Sequence, residues 1–290
     1  MMGLVGGIDA GGTTFKCGIQ NDAGAWIART RVPTTRPEET VAACVDVFQT
    51  FAPAMEALGV ASFGPLIVDP TSSNYGSIRL TPKPGWSGFN LRRALAEGLR
   101  VPVSVDTDVN AALRAELHQG AAQSAATAAY ITVGTGIGAG MVSSGHWLGR
   151  PDHPEFGHIP VKRHPADLGF RGVCPFHGDC LEGLASVTAL KARWGDPVSW
   201  EESHPGWDIA ADYLAQACLS LCLTLRPQRI ILGGGLMLSS HMLPRVQTQF
   251  DSVMNKYLGT ITPKGRELIV TPANGDDAGL CGAILLARER

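Results

Sequence analysis

His153-Pro154-Glu155-Phe156-Gly157-His158 is followed closely by Cys174-Pro175-Phe176-His177-Gly178-Asp179-Cys180-Leu181-Glu182. Thiolates and imidazoles in Cys2His2 proportion are the donors of a closed tetrahedral zinc site. The spacing of Cys174, His177 and Cys180 predicts three ligands of one ion, and His153, His158 and His164 compete for the fourth place. Four protein ligands leave no open position, so the pattern points to a structural metal and excludes a zinc hydrolase. Glu155 and Glu182 flank this loop. A carboxylate there can accept from two hydroxyls at once, although either acid alone also reads as a solvated surface residue.

Two glycine turns offer different chemistry. Asp9-Ala10-Gly11-Gly12-Thr13-Thr14 and Gly134-Thr135-Gly136-Ile137-Gly138 each join two apolar runs. Glycine lets the backbone curl into a nest of N–H groups that can hold an oxyanion, and Thr13 and Thr135 add hydroxyl donors. Each turn alone could be a plain hairpin. Two of them, one with an acid at its strand end, favour an anion. Neither is a P-loop, which needs Gly-Lys-Ser/Thr, and neither gives the dinucleotide fingerprint. Gly233-Gly234-Gly235, after an apolar strand, would let a flat or bulky ligand lie against backbone. Asp108 closes Asp106-Thr107-Asp108 at a strand-to-helix junction, where it reads as an N-cap or as a proton acceptor.

The elements that must position these groups alternate. Strands are expected at Leu4–Asp9, Thr14–Gln20, Trp26–Val32, Leu58–Ser62, Val101–Val105, Ala129–Val133, Ala139–Ser143, Arg229–Leu232 and Leu268–Thr271. Helices are expected from Pro37 to about Met55, at Leu91–Leu99, from Val109 to about His118, at Asp208–Leu225 and at Ala278–Arg290. Residues 69–90 read as a long irregular excursion. The segment 121–147 is nearly free of charge, but its glycines suit two strands around a turn better than a membrane helix. The strand–turn–strand unit occurs twice, which implies two related halves, and the alternation implies an α/β protein. The expected division is an N-terminal α/β domain over 1–112, a C-terminal one over 113–277 with a metal-binding segment at 150–185, and a last helix near 278–290 packing back on the first.

A chain of 290 residues, 44% apolar and 17% charged, can bury two cores. Its net charge of −2 gives no sign of a nucleic-acid or membrane partner. Seven cysteines, five of them in apolar surroundings, fit a reducing compartment. Met1-Met2-Gly3 carries no signal-peptide or myristoylation pattern.

Taken in order, Asp9-x-Gly-Gly-Thr13, Asp106-Thr-Asp108-Val-Asn110, Gly134-Thr-Gly-Ile-Gly138, Glu155-x-Gly-His158, Cys174-Pro-x-His-Gly-x-Cys180 and Gly233-Gly-Gly235 resemble the ROK sugar kinases over nearly the whole chain. Ala61-Ser-Phe-Gly-Pro65, Tyr75-Gly-x-Ile and Thr81-Pro-Lys-Pro-Gly-Trp86 resemble the bacterial fructokinase branch of that family. The resemblance implies the two-domain actin-like ATPase (ribonuclease H-like) fold with a hinged cleft and a small zinc-binding insertion. It also implies ATP-dependent phosphorylation of a hexose, foremost D-fructose, with glucose or mannose as alternatives. Asp108 then matches the catalytic base, while Asn110, Glu155, His158 and Glu182 match sugar-binding positions. Asp9 matches the residue near Mg²⁺. Gly11, Gly12, Thr13, Thr135 and Gly136 would cradle phosphates, and Gly233, Gly234 and Gly235 would line the adenosine pocket. His158 becomes the fourth zinc ligand beside Cys174, His177 and Cys180. A cytoplasmic homodimer is implied too. Thr14 departs from the lysine expected after Gly-Gly-Thr, and Val187 from the glycine expected after Ala-Ser. A sugar-sensing repressor of the same family would carry a helix-turn-helix, for which no room is expected ahead of Leu4.

Overall fold

Leu4–Ala10 forms β1, and β2 (Thr14–Asn21) runs back beside it after the turn at 11–13. β3 (Trp26–Pro33) extends the meander as an edge strand with mostly outward residues. The computed structural model describes residues 3–289. Met1 and Met2, and Arg290 at the expected end of the last helix, lie outside them. α1 (Pro37–Gln49) opens with proline in its first turn and Glu38 and Glu39 at its positive end. It stops six residues short of the expected Met55. Pro53 has no N–H to continue the helical ladder, and Met55 is already paired with Leu4 as the first residue of β4 (Met55–Ser62). After the excursion come α2 (Leu91–Leu99), capped by the Asn90 side chain, β5 (Val103–Thr107) and α3 (Asp108–Gln119). The sheet order is β3-β2-β1-β4-β5, with β1, β4 and β5 parallel.

The second unit repeats the plan. β6 (Ala128–Val133), β7 (Ile137–Ser143), β8 (His146–Trp147), β9 (Arg229–Gly233) and β10 (Ile269–Val270) form a sheet in the order β10-β9-β6-β7-β8. Counted along the chain, both sheets read third, second, first, fourth, fifth, with the first three antiparallel and the last two parallel to the first. The repeated glycine turn is therefore the same turn of the same sheet, made twice. α4 (Leu181–Ala185), α5 (Val187–Trp194), α6 (Gly206–Leu225), α7 (Met242–Met254) and α8 (Gly265–Leu268) complete the unit. α6 is long and apolar enough to cross a membrane by length and composition. Here it is a core helix, with Trp207, Tyr213, Leu214, Cys218 and Leu221 buried.

α9 (Ala278–Arg288) returns to the first unit. That unit takes residues through Ala115, Gly149–His153 and the chain from Asp276 onward, and the second takes Glu116–Leu148 and Pro154–Gly275. α9 lies so close to β4 that a Cβ on Gly59 would sit 1.8 Å from the Ala283 carbonyl oxygen. No flexible side chain can yield there. Gly59→Ala is expected to cost about 3 kcal/mol, read as a lower midpoint in urea unfolding. A midpoint equal to wild type would show that α9 can lift off without penalty.

Candidate active site

In the first unit, β5 ends in a buried acid that organises everything around it. Asp106 Oδ1 accepts from the Thr107 N–H (2.8 Å) and from Asn110 Nδ2 (2.9 Å), while Oδ2 is paired with Arg150 and lies 3.6 Å from Arg114. These bonds fix the Asn110 amide. Its nitrogen is taken, and its Oδ1 is buried with no hydrogen-bond partner among the described residues. Buried acceptors left open in this way are uncommon, and an O–H from a ligand would satisfy this one. The N-cap of α3 is Thr107, whose Oγ1 accepts from the Asn110 N–H at 3.2 Å. Asp108, in the first turn of α3, accepts from the Val109 N–H at 2.9 Å and is partly exposed. The capping role weighed for Asp108 thus falls to its neighbour.

The turn after β1 is closed by Gly11, whose N–H donates to the carbonyls of Asp9 and Thr14, both at 3.1 Å. Gly11 is therefore spent on the turn itself, and Gly12 and Thr13 present the remaining amides. Lys16 Nζ lies 3.5 Å from Asp9 and 2.8 Å from Asp276. Burial raises the Asp9 pKa, against the opposing pull of Lys16. Thr14, one of the departures from the family pattern, contributes its carbonyl to the turn.

In the second unit, the ligand atoms of His158, Cys174, His177 and Cys180 all lie within 4.8 Å of one another. His158 Nδ1 is 3.7 Å from Cys174 Sγ and 3.5 Å from Cys180 Sγ, and His177 Nδ1 is 3.7 Å from Cys174 Sγ. Nitrogen and sulfur bound tetrahedrally to one zinc ion lie about 3.6 Å apart, so the donor set has the right size. The other contenders sit elsewhere. His153 clusters with the first unit and bonds the backbone of Leu66, and His164 Nδ1 accepts from the Ala166 N–H. With Nδ1 turned to the sulfurs, His158 keeps Nε2 for another partner. Burial pushes the Cys180 thiol up to about 11. Gly157 must be glycine, since a Cβ there would meet the Ile137 carbonyl oxygen at 1.9 Å.

Glu182, in the first turn of α4, accepts from the Ile137 N–H at 2.8 Å and so reaches the turn before β7. That turn is also held from α5: the Val187 N–H donates to Gly134 O (2.8 Å) and Thr188 Oγ1 to Thr135 O (2.7 Å). Val187 acts through its backbone, which explains why a residue other than glycine serves. The Gly134 N–H is bonded to Gly136 O, leaving the amides of Thr135 and Gly136. None of Gly11, Gly12, Gly134 and Gly136 is left-handed, so neither turn is a nest of alternating handedness. Glu155 is exposed on the approach to His158. In the glycine triplet, Cβ atoms on Gly233 and Gly234 would strike Tyr130 and the Val133 backbone, whereas Gly235 faces open space. Only the last glycine leaves room for a ligand.

Sequence reasoning gave no role to Arg150, Arg114, Lys16 or Lys83. Arg150 meets Asp106 across 44 positions and Lys83 meets Gly12 across 71; Lys83 lies within the Thr81–Trp86 stretch, which by itself assigns it no role. The ROK family profile matches residues 5–290. A protein from Zymomonas mobilis named fructokinase is 40% identical over 98% of this chain and 96% of its own length. One from Bacillus subtilis named putative fructokinase is 39% identical over 99% and 96%. The crystal structure of a Streptomyces griseus ROK family glucokinase in complex with glucose and AMPPNP superposes with a TM-score of 0.74 at 25% identity, covering 99% of this chain and all of that one. With the doubled sheet plan and a family match from the first strand to the last helix, this chain belongs to the ROK family, among its sugar kinases.

Proposed function

We propose that the enzyme transfers the γ-phosphoryl group of ATP to D-fructose, giving fructose 6-phosphate, with Asp108 as the base. The observation that carries this reading is the open, buried Oδ1 of Asn110, two residues from a carboxylate at a helix start. Asn110 takes a sugar hydroxyl, and Asp108 accepts the proton of the attacking hydroxyl as its bond to phosphorus forms. Glu155, Glu182 and Nε2 of His158 bind further hydroxyls. Gly12, Thr13, Thr135 and Gly136 offer amides to phosphate oxygens, Gly11 closes its turn, and Gly235 borders the adenosine with Gly233 and Gly234 behind it. Asp9 would hold Mg²⁺, directly or through water, and the ion would neutralise charge on the phosphate oxygens. Zinc on His158, Cys174, His177 and Cys180 supplies rigidity only, as four protein ligands close its shell.

The nucleotide in the S. griseus relative's structure supports ATP as donor. Fructose over glucose rests on relatives named fructokinase at 38–40% identity, against 26–27% for those named glucokinase. Seven free cysteines agree with a cytoplasmic enzyme; the homodimer expected from the resemblance is read by light scattering. The deciding test is a panel of hexoses with ATP and Mg²⁺. Fructose is expected to exceed glucose and mannose in kcat/KM by about tenfold or more, equivalent to about 1.4 kcal/mol. A higher value on glucose removes fructose from the reading, and no turnover on any hexose removes the kinase.

A further inference from the structure

Two ammonium groups border the first glycine turn, and they differ in what they face. Lys16 is engaged by two carboxylates, Asp9 and Asp276. Lys83 forms no ion pair among the described residues. Its Nζ donates to the Gly12 carbonyl at 2.7 Å and lies 5.2 Å from the centre of the Phe63 ring. Both neighbours are neutral. Partial burial holds its pKa below the ordinary lysine value.

The lysine is held there by design of the excursion that carries it. It stands between Pro82 and Pro84, whose rings fix the backbone on either side. Three residues on, Trp86 is buried against Phe15, Phe63 and Phe89 and donates Nε1 to the Thr35 carbonyl at 2.8 Å. The Trp86 N–H returns to the Lys83 carbonyl at 3.2 Å. A Cβ on Gly12 would come within 2.6 Å of Nζ, so the ammonium lies directly against the turn. A partly desolvated charge without a counterion is costly, and an ammonium is a compact point charge suited to phosphate.

We propose that Lys83 is a catalytic residue that binds the γ-phosphoryl oxygens of ATP at the Gly12 turn and offsets the charge they carry during transfer. This rests on the kinase reading given above and adds to it a residue that acts on phosphate rather than sugar. One Nζ hydrogen stays on the Gly12 carbonyl, and the other two meet phosphate oxygens. No proton is transferred, so the Asp108 base chemistry is unchanged.

The test compares intact wild-type enzyme with Lys83→Met, Lys83→Gln and Lys83→Arg, in steady-state kinetics and in calorimetric titrations with AMPPNP and with ADP. Removing one preorganised donor from developing charge typically costs about 10²–10³-fold in kcat, and that loss is expected for Met and Gln, with partial recovery in Arg. AMPPNP affinity should fall about tenfold more than ADP affinity, because only AMPPNP carries the terminal group. Fructose affinity and melting temperature should hold. If wild type turns over while the neutral variants keep kcat within about threefold, or lose AMPPNP and ADP binding equally, Lys83 is a clamp on Gly12 and the proposal is wrong. If wild type itself transfers no phosphate to any hexose, the kinase reading falls, and Lys83 with it.

Discussion

An Asp108→Asn enzyme is expected to fold as the wild type does and to turn over about a thousandfold more slowly, within the range for losing a general base. The amide has the same shape as the carboxylate, and its oxygen can still accept from the Val109 N–H. Helix α3 keeps its cap, because Thr107 accepts the Asn110 N–H. Asp106 orients Asn110 through its own carboxylate, which bonds Thr107, Asn110 and Arg150. What is lost is a group able to take a proton. The fall should therefore appear in kcat, with fructose KM and melting temperature close to wild type. Two outcomes count against the assignment: kcat within tenfold of wild type, or a drop of several degrees in Tm, which would return Asp108 to a structural role.

Cys174→Ser is expected to cause the largest loss of stability. Breaking a four-ligand site forfeits most of the metal's contribution to folding and leaves Cys180 as a buried neutral thiol. A loss of about 4 kcal/mol, at about 2 °C per kcal/mol for a large chain, lowers Tm by about 8 °C. Because Cys180 is two residues before Glu182 and His158 three after Glu155, KM for fructose should rise as well. Dialysis against a strong chelator should reproduce both effects, and zinc should reverse them. Metal analysis finding less than one zinc per chain in enzyme purified without chelator would refute the ligand assignment.

Much of this arrangement is legible in the sequence, and the parts that are not share a cause. β1, β2 and β9 announce themselves by short apolar runs between glycines, and the twin turns reveal the doubled sheet. The four clustered His and Cys side chains include a trio close enough in sequence to be found by spacing. Which turn amides stay open is not legible, because Gly11 and Gly134 donate theirs within their own turns. The end of α1 is misplaced since apolar spacing continues past Gln49 into a strand set by pairing with β1. Lys83 meets Gly12 across 71 positions, and Glu182 meets Ile137 across 45. Contacts of that range leave no periodicity to read.

The return of α9 to the first sheet has a consequence for how the chain is made. β1 and β4 present Gly7 and Gly59 as a smooth seat for Ala283 and Ile284, but the ribosome delivers these long after the seat. Through most of translation the nascent N-terminal half must persist with that seat bare, while the second unit, almost contiguous in sequence, can finish first. Completion of the first half thus waits for the last helix to emerge, and chains halted before Ala278 should become clients of chaperones rather than half-enzymes.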